Sequence, residues 1–248
     1  MKKVVILISI FLYTLSVFSQ IEDKRIALII GNSAYLNYKP INNASNDAEL
    51  MATTLQNLGF TVIKKINLKR VEMSESITNF ASKFADYNVA LVYYSGHGIQ
   101  IDDINYMVPV DAKIDSLELL NQEAVSEIEV LSKYEKYPNN TGILILDASR
   151  NNPFAKTMRT STNKGLAPIN TPENTFIACA TSPGSVAIKG LGQISLFTEV
   201  LVEILNKPGL EIHEIFKEVR KNVFKRSEFN QTPWEISTLS KNFYFKKN

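Results

Sequence analysis

Apolar and polar positions fall into two kinds of block along this chain. Short continuous apolar runs occur at "RIALIIG" (25–31), "NVALVYY" (88–94), "GILILD" (142–147) and "TFIACAT" (175–181), each bounded by turn residues. Runs of that length predict strands covered on both faces. "FTVIKKI" (60–66) reads as a further strand. Between the strands the spacing turns helical. Leu50, Met51, Leu55 and Leu58 mark one helix, with Gly59 as its stop, and Met73, Ile77, Phe80, Ala81 and Phe84 mark a second. Leu196–Leu205 and Ile212–Phe224 read as late helices, the latter carrying Ile212, Ile215, Phe216, Val219 and Val223 on one face. Strand alternating with helix predicts an α/β fold around a mostly parallel sheet.

Two segments break the alternation. "IQIDDINYMVPVD" (99–111) alternates around Asp102-Asp103 and predicts a β-hairpin. Residues 156–174 are rich in Thr, Asn, Pro, Gly and Lys and read as a linker between a larger N-terminal and a smaller C-terminal part. Strands lie on both sides of it, so one sheet is expected to run through both parts.

Length and composition narrow the field. At 248 residues with 45% hydrophobic side chains, the chain suits one large domain or two small ones with a sizeable core. Its 27 basic and 25 acidic residues include no basic block, which excludes a nucleic-acid binder of the usual charged kind. Lys2 and Lys3 precede an apolar run, Val4 to Phe18, that ends near Ser19. This pattern predicts a signal peptide over residues 1–19, with an uncleaved anchor as the alternative. The run is shorter than the roughly 20 residues that span a bilayer, so no stable membrane span is expected after cleavage. The mature domain, 20–248, is then expected to be exported, either to a periplasm or out of the cell. Cys179 is the only cysteine and His97 and His213 the only histidines, too few for a conventional zinc site. No metal and no cofactor is expected from these residues.

In open α/β sheets, sites form beyond the carboxyl ends of the strands. One predicted strand runs into Ser95-Gly96-His97-Gly98 and another into Asp147-Ala148-Ser149-Arg150. If these strands are neighbours, His97 and Ser149 meet at one edge. His97 is then either a general base or a satisfied polar side chain. Its flanking glycines free the backbone, and the amide of Gly98 is placed to point into a site. Ser149 is either a hydroxyl capping the next helix or a nucleophile with His97 as its base. No carboxylate partner for His97 is identifiable, and His213 reads as a surface residue. Asp47 suits the first turn of a helix and Asp147 a strand-end cap.

"YYSGHG", followed some fifty residues later by "LDASRNNPF", resembles the caspase-like peptidase superfamily, in particular its bacterial metacaspase-type branch. "RIALIIGNSAY" with "INNASNDAELMATTLQNLGFTV" is similar to that family's first strand and helix. "GLAPINTPENTFIACATSPGSVA", "PGLEIHEIFKEVR" and "QTPWEISTLSKNFYF" are similar to its C-terminal portion. The likeness spans residues 24–245. It implies a caspase-like sandwich, a mostly parallel central sheet with helices on both faces, with a p20-like part at about 24–155 and a p10-like part at about 175–245.

The resemblance also implies a site. The family places a cysteine nucleophile where this chain has Ser149, with the histidine at His97 and an oxyanion hole formed by the backbone amides of Gly98 and of the nucleophile. Its metacaspase-type members bind an arginine or lysine side chain with residues that match Asp47, Ser95 and Asp147. The partner implied is thus a polypeptide presenting Arg or Lys. With a hydroxyl in place of the thiol, the expectation is a peptidase fold with abolished or strongly reduced endopeptidase activity. The alternatives are an active Ser149–His97 peptidase and a binding or scaffold module. Lys156, Arg159 and Lys164 are either a processing region, as in active relatives, or ordinary loop lysines and arginine. Many metacaspase-type enzymes respond to calcium, but Asp102, Asp103 and Asp111 match no EF-hand spacing and no calcium site is located.

Overall fold

A computed structural model describes residues 23–101, 104–149, 171–182 and 192–248, with the backbone alone for Gln100, Leu117 and Ser149. The predicted signal peptide, the Asp102-Asp103 turn and residues 156–170 of the linker, with its three basic residues, lie outside the described residues. The chain runs through β1 (Arg25–Gly31), α1 (Ala44–Asn57), β2 (Phe60–Ile66), α2 (Arg70–Ala81), β3 (Val89–Ile101) and β4 (Ile104–Met107). It continues through α3 (Leu117–Glu123), β5 (Val125–Ser126), α4 (Glu127–Tyr134), β6 (Thr141–Ser149), β7 (Thr175–Cys179), α5 (Leu196–Leu205), α6 (Ile212–Arg226) and β8 (Trp234–Ser237).

The central sheet has the order β2-β1-β3-β6-β7-β8, and β4 and β5 branch from β3. All neighbours in that row are parallel except β7 and β8. One sheet therefore passes through both parts of the chain. Successive side chains of each strand point to opposite faces. Ala27 and Ile29 join a core with Met51, Leu55, Phe197, Leu201, Phe216 and Val219, which puts α1, α5 and α6 on one face. Ile26, Leu28 and Ile30 join Met73, Ile77, Phe80, Val130 and Leu131, which puts α2 and α4 on the other. This two-sided burial is why the strands read as unbroken apolar runs. Among the described residues, no helix is long and apolar enough to cross a membrane.

Strand order reverses beside β1: β2 lies on one side of it and β3 on the other. The carboxyl ends of β1 and β3 thus flank a crevice of the kind that hosts sites in α/β sheets. Gly31 ends β1 there, and a Cβ at that position would sit 2.5 Å from the Ala44 carbonyl oxygen and 2.7 Å from Ala48 Cβ. Glycine lets the start of α1 close onto the strand end, which brings Asp47 to the crevice.

Several boundaries differ from expectation. β3 does not stop at Tyr94 but runs to Ile101, because the parallel pairing to β6 continues through His97 and the hairpin with β4 takes over from Gly98. α2 ends at Ala81, and Phe84 lies in a separate 3-10 turn over Phe84–Asp86. Phe84 is still buried against Phe80, with ring centroids 4.9 Å apart, so its apolar spacing was a packing signal and not a helical one. The helix predicted over 212–224 extends to Arg226.

Candidate active site

β3 and β6 bring their polar ends into register. Ser95 pairs with Asp147, Gly96 with Ala148 and His97 with Ser149, and Ser95 also pairs with Gly31 of β1. Neighbouring strands lie about 4.8 Å apart, so the His97 and Ser149 backbones are adjacent. The expected meeting of the two strand ends is what the fold delivers. His213 is exposed on α6 beside Phe176. Cys179 is buried in the core on the α2 face, opposite Leu146 in register.

His97 has an orienting partner that the sequence did not reveal. Its Nε2 lies 2.7 Å from the backbone carbonyl oxygen of Lys39. A carbonyl only accepts, so Nε2 carries a proton, and in the neutral imidazole Nδ1 then holds the lone pair. The loop after β1 that supplies Lys39 is tied down by its own hydrogen bonds. The Leu36 amide donates to the Val110 carbonyl at 2.8 Å, the Ile41 amide to Ser33 at 3.1 Å, and Asn37 Nδ2 to the carbonyls of Asp111 and Ala112. The ring of Tyr35 packs on the imidazole at 4.4 Å between centroids, and Tyr38 meets it edge-on at 6.5 Å.

Gly98 begins the hairpin. The Val108 amide donates to the His97 carbonyl at 3.1 Å. Gly98 and Met107 therefore form the antiparallel pair that exchanges no hydrogen bonds, and the Gly98 amide points away from β4, toward the β6 side.

Asp47, Ser95 and Asp147 converge as expected, and all three are buried. Asp47 Oδ2 accepts from Ser95 Oγ at 2.9 Å and Oδ1 from the Ser195 amide at 2.7 Å. Asp147 Oδ2 accepts from Thr198 Oγ1 at 2.6 Å and also from Ser195 Oγ. Tyr93 hydrogen-bonds Thr198 Oγ1 in turn. Ser195 is the N-cap of α5, its Oγ accepting from the Thr198 amide at 3.0 Å. One residue thus bonds both carboxylates. A serine directly before an apolar helical run is an N-cap signal, but nothing in the sequence ties that cap to residues nearly fifty and nearly a hundred and fifty positions away. Among the described residues no Lys, Arg or His side chain pairs with either acid.

This arrangement disfavours two negative charges. Burial, with the nearby Asp147 charge adding to it, pushes Asp47 from its ordinary 3.8 up to about 8. Burial raises Asp147 as well, against the pull of its Ser195 and Thr198 hydrogen bonds. An unfolded aspartate sheds its proton near pH 4, while the folded pair retains protons to higher pH. Stability is therefore greatest below pH 4 as far as this pair is concerned, and it declines as pH rises through about 8. Urea denaturation is expected to give a lower midpoint at pH 9 than at pH 5, with a shallower dependence in Asp47→Asn.

A cavity of about 770 Å³ opens at the other end of the sheet, lined by Lys24, Arg25, Gly59, Thr61, Tyr87 and Phe245 among others. It touches none of the residues above.

With this geometry in hand, similarity to known proteins becomes informative. Residues 24–244 match the caspase domain family, Peptidase C14. Caspase-12 of Mus musculus is 26% identical over 244 residues, covering 89% of this chain and 57% of its own length. Caspase-1 of Mus musculus is 26% identical over 239 residues, covering 89% of this chain and 59% of its own length. The chain therefore spans less than two thirds of these relatives. The crystal structure of caspase-1 from Spodoptera frugiperda superposes with a TM-score of 0.71 at 18% identity, over 92% of this chain and 93% of that one, a likeness of fold.

Proposed function

The chain belongs to the caspase domain family of C14 peptidases, and from that membership we propose a protein that binds polypeptides through an arginine or lysine side chain and cuts them poorly or not at all. The observation that carries this reading is the buried pair Asp47 and Asp147, joined through Ser195 and without a cationic side chain against it among the described residues. A guanidinium or ammonium entering beside them supplies the missing positive charge and brings both carboxylates back toward ionisation. Ser95 orients Asp47 for that contact. The preference matches the metacaspase-type motifs in the sequence.

The weakness in cutting follows from Ser149. A free thiol titrates near 8.5 and is partly thiolate at neutral pH, whereas a serine hydroxyl must hand its proton to a base during attack. Nδ1 of His97 is that base. The imidazolium so formed faces a Lys39 carbonyl, a dipole, where efficient serine enzymes place a buried carboxylate. The Gly98 amide, together with that of residue 149, would receive the oxyanion, since a backbone donor does not depend on which side chain follows it. A second reading, an active Ser149–His97 peptidase, draws on the register pairing and the Nδ1 lone pair.

Calorimetry on the unaltered chain tests the pocket. A peptide amide ending in arginine is expected to bind more tightly than its norleucine counterpart. Affinity should rise between pH 6 and 8 by up to about tenfold per unit, as binding expels a proton from the pair. Equal affinity for the two peptides would refute the pocket.

A further inference from the structure

The main chain of His97 is enclosed by two phenols. Its amide donates to Tyr35 Oη at 2.7 Å. Tyr94 Oη lies 2.7 Å from the His97 carbonyl oxygen and 3.2 Å from Tyr35 Oη. Each phenol has one proton. Both carbonyls near Tyr94 only accept, and that of His97 is the nearer, so we assign the Tyr94 proton there, with Tyr35 donating to Tyr94. The bonds therefore close a ring from the His97 amide through both hydroxyls back to the His97 carbonyl. Rings of this kind polarise one another in a buried setting. Tyr94 Oη also accepts from the Val108 amide at 3.1 Å and lies 3.0 Å from the Val108 carbonyl, which ties the hairpin strand β4 to the same point.

Gly96 has a specific reason to be glycine. A Cβ there would lie 2.4 Å from Tyr94 Oη and 2.6 Å from Tyr35 Oη, inside the ring itself. Burial raises both phenols far above neutral pH, so both remain proton donors. Tyr35 belongs to the loop that carries the Lys39 carbonyl, so one loop supplies both the anchor of the imidazole and an anchor of its backbone.

We propose that Tyr35 and Tyr94 are positioning residues for His97, holding its backbone so that the imidazole meets Lys39 through Nε2 and presents Nδ1 toward the nucleophile position. The proposal rests on the reading of His97 as the base of the site. The ring fixes the backbone at His97, the ring face of Tyr35 limits the rotation of the imidazole, and the Lys39 carbonyl selects the tautomer.

Long-range nitrogen–proton spectra of histidine-labelled protein test it without any need for catalysis. Above the ordinary imidazole titration range, the unaltered chain is expected to show His97 as a single Nε2–H tautomer, with exposed His213 as the internal reference. Tyr35→Phe and Tyr94→Phe should each give a mixture of tautomers. Tyr134→Phe removes a buried hydroxyl that bonds the Ile143 carbonyl at 2.9 Å, remote from His97, and should leave the single tautomer in place. In a Ser149→Cys background, Tyr35→Phe should lower kcat about 10- to 100-fold with KM unchanged, while Tyr134→Phe should not. A single tautomer in both phenylalanine variants, or kcat unaffected by them, overturns the proposal. If Ser149→Cys itself has no activity, the peptidase reading fails and the tautomer spectra decide the ring by themselves.

Discussion

Ser149→Cys is expected to hydrolyse an arginyl fluorogenic peptide with a kcat/KM at least about 10³-fold above that of the unaltered chain. The described surroundings of the proposed nucleophile position suit a thiol. The backbones of His97 and Ser149 are adjacent in register, and the imidazole is held by a neutral carbonyl. A thiolate needs little more than this, because its charge is already present before attack and a nearby imidazolium increases it. A hydroxyl needs far more. Its proton must transfer within the transition state, and the resulting imidazolium needs a carboxylate that Lys39 does not provide. Loss of such a carboxylate in a serine enzyme costs about 10⁴ in kcat, which sets the scale of the deficit. Ser149→Ala should match the unaltered chain. If the unaltered chain is strongly active and Ser149→Ala is not, the serine-peptidase reading replaces this one.

The second large effect lies in the acid pair. In the Ser149→Cys background, Asp147→Asn and Asp47→Asn should each lower kcat/KM for an arginyl substrate about 30-fold to several thousand-fold. That range follows from the roughly 2–5 kcal/mol lost when one partner of a buried, hydrogen-bonded charge contact is removed. Asparagine keeps the shape: at 147 its one oxygen can still accept from Ser195 and Thr198, and at 47 its oxygen can accept from the Ser195 amide while its NH2 donates to a reoriented Ser95 hydroxyl, so the loss reports charge and not collapse. The same substitutions should stabilise the empty protein at high pH, since burial and mutual repulsion work against the ionised pair. A variant that binds worse and unfolds later separates a functional pair from a structural one. Loss of both affinity and stability at pH 9 would mark the acids as scaffold.

How far the sequence reached depends on what each feature rests on. β1, β6 and β7 were legible because strands packed on both faces are apolar through their buried length, although β6 runs past its apolar stretch to Ser149 by pairing with β3. α1 was legible from its spacing and from Gly59, which stops it with φ at +82°. The stretch from 112 to 140 was not read as structure, because α3, β5 and α4 are short and owe their form to packing against the hairpin and α2. At the site, Asp47, Ser95, His97 and Asp147 came from motifs that carry their own residue types. The Lys39 carbonyl was hidden because a backbone oxygen leaves no trace in residue identity. Ser195 and Thr198 were hidden for another reason: a helix cap is a local signal, and its second task, bridging two acids from distant strands and helices, appears only when the chain folds. Gly96 was read as a source of backbone freedom, whereas the space it leaves is filled by two phenol oxygens.

The most direct measurement is the preference of Ser149→Cys among peptide substrates that differ only in the residue before the cut. Arginine and lysine are expected to be cleaved, norleucine weakly and aspartate not at all, with the basic preference lost when Asp47 and Asp147 are both replaced by asparagine. Efficient cleavage after aspartate, or a basic preference that survives the double replacement, would contradict the assignment of these two buried acids to recognition.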